Sequence, residues 1–111
     1  MQKKFFERLE TIGAFAFSYT KVKGELALSH KLYNLGGNAF MACPSITSVK
    51  FGDVGLASQL NECGDYIFNA SSAISSCEAY ITSDRQQYWT NNLEPNFKLP
   101  DDGATKVTVS Y

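Results

Sequence analysis

One histidine, three cysteines, three prolines and one tryptophan are all that 111 residues hold of these types, and each scarcity excludes something. With a single imidazole, any Ser–His or Cys–His nucleophile pair would have to rest on His30. Zinc favours four ligands drawn from closely spaced pairs. Cys43, Cys63 and Cys77 are an odd set with no CxxC spacing and no flanking histidine, so no metal is expected. They are expected to be buried, reduced thiols behaving as small apolar groups. Charge of one sign is lacking too: 10 Lys and Arg stand against 11 Asp and Glu. The short basic pairs Lys3–Lys4 and Lys21/Lys23 read as solvated surface rather than a phosphate-binding face, and nucleic acid is not an expected partner.

Long apolar runs are missing as well. No stretch of about 20 apolar residues is present to span a bilayer, so no membrane association is expected. The opening Met1-Gln2-Lys3-Lys4-Phe5-Phe6 begins like a secretion signal, but Glu7, Arg8 and Glu10 interrupt it, and a cytoplasmic location is expected. There is no glycine-rich phosphate loop, HExxH, GxSxG or EF-hand ladder. The carboxylates of Glu7, Glu10, Asp53, Glu62, Asp65, Glu78 and Asp84 read as a solvated face. Neither a catalytic set nor a cofactor is expected. No internal repeat is read from the chain.

What is present is apolar material: 44% hydrophobic and 14% aromatic residues, enough for one conventional core in a single domain, 1–111. Leu56, Leu60, Cys63, Ile67, Ala70, Ile74, Cys77, Ile81 and Tyr88 follow steps of three and four, the spacing of an apolar helical seam. Asp53 is placed to cap such a helix and Glu94-Pro95 to close it. Phe5, Leu9, Ile12, Ala16 and Tyr19 repeat the pattern, and Leu26, His30 and Tyr33 resume it beside a stripe of Leu28, Leu32 and Leu35. A strand reading competes at Phe15, Phe17 and Tyr19, which alternate with Ala16 and Ser18. The expected fold is mainly α. It is a small helical bundle with helices near 3–20, 25–35 and 54–90, the last one rod or a hairpin folded at Ser71–Ser72. A packed connection fills 36–53, and the tail 95–111 carries a strand at 105–111, where Val107, Val109 and Tyr111 alternate with polar residues.

The stretch Leu28-Ser29-His30-Lys31-Leu32-Tyr33-Asn34-Leu35-Gly36-Gly37-Asn38 resembles the active helix of histidine-phosphotransfer domains, with His30, Leu32, Gly37 and Asn38 in matching order. Gly52-Asp53-x-x-Leu56-Ala57 is similar to the family's next stretch. Tyr33 stands where that family has a phosphate-neutralising lysine, and Asn34 replaces the adjacent glycine. The resemblance implies an exposed His30 that carries a phosphoryl group between response regulators. Read from its neighbours, His30 instead shares a seam with Leu26 and Tyr33 and packs partly buried. Tyr88 and Trp89, flanked by amides, are candidate interface anchors. The favoured expectation is a non-enzymatic protein–protein interaction module, an adaptor, inhibitor or assembly subunit. It would use the helical seam and the terminal strand with its Val107, Val109 and Tyr111, and would bind another protein or a second copy of itself. Phosphotransfer at His30 is the alternative.

Overall fold

A computed structural model of the chain describes residues 8–100 and 103–109. Among these residues it contains seven strands: β1 (Thr11–Ile12), β2 (Lys23–Leu28), β3 (Asn34–Leu35), β4 (Ser45–Phe51), β5 (Glu62–Cys63), β6 (Ser76–Ile81) and β7 (Thr105–Val109). From β1 to β6 the chain alternates between two sheets, each wholly parallel. The narrow one is ordered β1-β3-β5 and the wide one β2-β4-β6-β7. Each of the first three coils therefore lays one strand in each sheet, the next adds β7 to the wide sheet alone, and successive coils stack. Ile12 pairs with Leu35 one coil later, and Leu35 pairs with Cys63 after one further coil. The molecule is a short solenoid in which contacts run between neighbouring coils.

The expected helical bundle is thus overturned, and with it the helices near 3–20, 25–35 and 54–90 and the reading that the chain has no internal repeat. The helices named among the described residues form one segment, 83–96, of mixed pitch: a 3-10 turn at Ser83–Arg85, an α turn at Gln86–Tyr88, a π turn at Trp89–Leu93 and a 3-10 turn at Glu94–Asn96; Gly103 adds a further 3-10 residue. The misleading signal has a physical cause. A coil that turns corners brings a residue inward every three or four positions, as a helix does. Leu60, Ile67, Ile74, Cys77 and Ile81 are buried, as a seam requires. Leu56 and Tyr88, members of the same series, are exposed, and Ala79, which the series skips, is fully buried because β6 alternates at two. In the series Leu9, Ile12, Ala16 and Tyr19, Tyr19 is 73% exposed and only Ile12 belongs to the buried core.

Inward side chains form columns along the stack. Leu26, Val49, Cys77 and Thr105 are register neighbours in the wide sheet, as are Leu28, Phe51, Ala79 and Val107. Phe17, Phe40 and Phe68 stack with ring centroids 5.3 and 5.8 Å apart, and Phe97 meets Phe68 edge-on at 5.9 Å. Between the sheets the chain turns through left-handed residues that recur at the coil spacing. Phe15, Asn38 and Tyr66 have φ of 60°, 59° and 60°, and Tyr19, Ala42 and Ala70 have 61°, 54° and 63°. Here Phe15 and Tyr19 point out and Phe17 points in, so the alternation is real although the segment is neither strand nor helix. The turns remain hydrogen-bonded between coils: Phe15 N–H donates to Gly37 O at 3.0 Å, Phe40 N–H to Ile67 O at 3.0 Å and Phe68 N–H to Phe97 O at 2.8 Å.

Buried polar groups in this turn join the coils as well. Ser71 Oγ donates to Phe40 O at 2.6 Å and accepts from Cys43 N–H at 2.9 Å, while Cys43 Sγ donates to Phe17 O at 3.1 Å. The helical segment covers the core beyond β6. Because Ala79 is small, Trp89 and Phe97 reach past it to Phe51, with centroids 5.2 and 5.0 Å away. Trp89 Nε1 is buried there without a hydrogen-bond partner among the described residues.

Candidate functional site

Wherever residues of the wide sheet alternate, every second side chain points away from the core. The register sets these outward residues in rows across the strands. Glu25, Ser48 and Ser76 form one row, and Ala27, Lys50, Glu78 and Lys106 form the next. In the second row charges alternate in sign from β4 to β7, at the spacing of roughly 4.8 Å between adjacent strands. Tyr80 lies beside it on β6; its hydroxyl donates to Glu78 Oε1 at 3.0 Å, and Lys50 Nζ sits 5.5 Å from its ring centroid. Lys50 also pairs with Asp53 at 2.9 Å. The hydrogen bond to Asp53 is the main reason its ammonium is held above the ordinary lysine range, against a smaller opposing effect of burial. The Glu78 carboxylate likewise holds the Tyr80 phenol above its usual range.

Two concavities of about 280 Å³ each open on this face and share Glu25 and Lys50. The first lies at the C-terminal ends of β2 and β4, between Ala27, Leu28, His30, Lys31 and Leu56. The second is rich in hydroxyls, with Ser48, Ser75 and Ser76 beside Glu78 and Lys106. Among the described residues no group of three or more His, Cys, Asp or Glu is arranged to hold a metal ion.

The sequence-expected site residues are scattered by this arrangement. His30 is half-buried on the turn after β2, where its carbonyl accepts from Gln59 N–H at 2.9 Å. That is a turn and not the exposed helix which the phosphotransfer resemblance implies. Trp89 is buried at 1% exposure, whereas the adjacent Tyr88 is 39% exposed and donates its hydroxyl to Asn61 O at 2.6 Å. Val107 and Val109 are half-buried on β7, at the edge of the wide sheet, and Tyr111 lies outside the described residues. Cys43 and Cys77 are buried and Cys63 partly so; all three are free thiols. Burial pushes the Cys63 and Cys77 thiols up to about 12, which keeps them protonated and unreactive near neutrality.

With aliphatic and phenylalanine columns facing inward and a coil of about 25 residues, the chain has the period of leucine-rich repeats. The family model of the BspA type leucine rich repeat region matches residues 2–94, in six copies. The chain belongs to this family. No curated protein and no solved structure matches it. Leucine-rich repeats of this type are protein–protein interaction modules, and stacked repeats present extended surfaces for binding.

The residues that sequence reasoning passed over are those of the repeat's outward rows: Glu25, Ser48, Lys50, Ser76, Tyr80 and Lys106. A signal for them exists. Gly13, Gly36 and Gly64 are each followed, at the third and fourth positions, by Ala16-Phe17, Ala39-Phe40 and Ile67-Phe68. These triplets are spaced as Ile12, Leu35 and Cys63 are. Aligning the chain on them brings the strands, and hence the outward rows, into register.

Proposed function

We propose that this repeat binds another protein through the outward face of its wide sheet. The observation that carries the proposal is the row Ala27–Lys50–Glu78–Lys106 across four neighbouring strands, the last three presenting side chains of alternating charge beside Tyr80. Such a row selects a partner by charge complementarity and fixes its register, while the aromatic ring supplies contact area at low entropic cost. The narrow sheet is a poorer candidate, because each of its strands is two residues long and presents few outward side chains.

The face can be tested by capture from the native source with the full chain as bait. The expected result is a reproducible partner that is lost when Lys50 and Lys106 are both changed to Glu and retained when Lys98, on another side of the molecule, is changed to Glu. Retention of the partner by the double variant would move the site off this face. Sedimentation of the same proteins distinguishes a second copy of the chain from a different protein as the partner.

A further inference from the structure

The wide-sheet face departs from a uniform stack just after β4, and that point adjoins a concavity. In the first coil a short turn joins Leu28 to Leu32; in the second, a distinctly longer segment joins their counterparts, Phe51 and Leu60. Extra residues therefore enter after β4, and they make the step from Leu35 to Cys63 longer than the step from Ile12 to Leu35. They form a tight protruding turn. Asp53 N–H donates to Leu56 O at 3.0 Å and Leu56 N–H to Asp53 O at 2.9 Å, with Gly52 and Gly55 in the left-handed region at φ 75° and 73°. A Cβ at Gly52 would stand 2.7 Å from Leu56 O, so the turn requires glycine there.

This turn holds two aliphatic side chains in solvent: Val54 is 75% exposed and Leu56 47%. Leu56 is one wall of the first concavity, and Ala27 and Leu28 also line it. The polar lining is uneven. Lys50 is already paired with Asp53. Lys31, exposed and next to His30, has no ion pair among the described residues, and neither does Glu25 on the other side. The hollow thus has an apolar wall and, in the same lining, a cation and an anion that lack an ion pair among the described residues, Lys31 and Glu25. Insertions in solenoid repeats map to loops on one face, often the face that binds.

We infer that the inserted turn and the hollow beside it form a socket for an extended segment of the partner protein, one that carries a bulky aliphatic or aromatic residue beside an aspartate or glutamate. The apolar residue packs on Leu56 and Val54, and the carboxylate meets Lys31 with His30 next to it. This rests on the sheet face being the binding face and specifies what one end of it recognises.

The test is selection of a displayed library of random peptides, long enough to cross the socket, on the full chain. Recovered peptides are expected to share a large apolar residue with an acidic residue beside it or one position removed. Changing Val54 and Leu56 together to Ser, at exposed positions where thermal melting should be unchanged, is expected to weaken them at least about tenfold, the scale of uncovering one aliphatic contact. Lys31→Glu is expected to switch the selected charge from acidic to basic. An empty selection overturns the inference, as does a consensus without the acid or binding that survives the loop variant. Peptides that survive the loop variant but are lost on Lys50→Glu with Lys106→Glu sink the socket and leave the sheet face standing. Peptides indifferent to both sets of changes sink the two readings together.

Discussion

The two sheets of this solenoid are built from the same coils, yet they tolerate side chains very differently. On the narrow side, coils approach so closely that a Cβ on Gly64 would overlap Gly37 N and stand 2.6 Å from Gly37 Cα. A Cβ on Gly36 would likewise overlap Ala14 N. On the wide side, successive strands are spaced by ordinary pairing, and their outward positions hold Glu, Lys, Ser and Tyr. One side bears the stacking constraint, and the other is open to varied outward side chains. Sequence change should therefore be costly on the first and cheap on the second.

The largest effect is expected in the column that joins the coils between the sheets. Phe40→Ala removes a ring stacked on Phe17 and Phe68 and should cost about 4 kcal/mol by urea denaturation, the usual toll of a cavity left by a buried phenylalanine. Gly64→Ala should cost about 3 kcal/mol, because backbone rather than a flexible side chain occupies the space. If Gly64→Ala left the denaturation midpoint unchanged, the narrow side would not be the constrained one.

Smaller effects sharpen the contrast. Ala70 is exposed with φ 63°, a conformation that glycine adopts more cheaply. Ala70→Gly should gain about 0.5 kcal/mol, the relief of left-handed strain exceeding the added freedom of the unfolded chain. On the wide face, Lys106→Glu should change stability by less than about 0.5 kcal/mol while altering partner capture. A loss of several times that would show the row to be structural.

The smallest effect concerns pH. Glu94, in the helical segment, has its carboxyl raised above the ordinary range by partial burial. The folded state therefore holds this proton more tightly than the unfolded state. Ionisation costs stability, the cost growing as pH rises through the unfolded and then the folded pKa. Glu94→Gln should stabilise slightly at pH 7, by a few tenths of a kcal/mol given the site's solvent contact, and the gain should vanish in denaturation measured below about pH 4. A gain that persisted in acid would exclude this cause.

Much of the burial was legible from sequence while the local structure was not. The stripe Leu28, Leu32 and Leu35 is buried, and so are Leu60, Ile67, Ile74, Cys77 and Ile81. Their spacing reads as helix because a cornered coil and an α-helix both turn a residue inward about every three and a half positions. At the candidate site the sequence signals pointed to His30 and Trp89, rare residues that are half-buried and buried respectively. The outward row escapes any local period because Lys50, Glu78 and Lys106 lie a full coil apart in succession; only the long-range repeat of Gly13, Gly36 and Gly64 with their Phe residues, or strand pairing itself, makes them neighbours.

By itself, the sequence determined which side chains must leave water, since that follows from their chemistry and their spacing over short distances. Tertiary structure alone decided that the chain would coil and not form helices. The deciding interactions, hydrogen bonds and ring stacks between residues a whole coil apart, lie beyond any local period, and their free energy is realised only when one coil settles on the next.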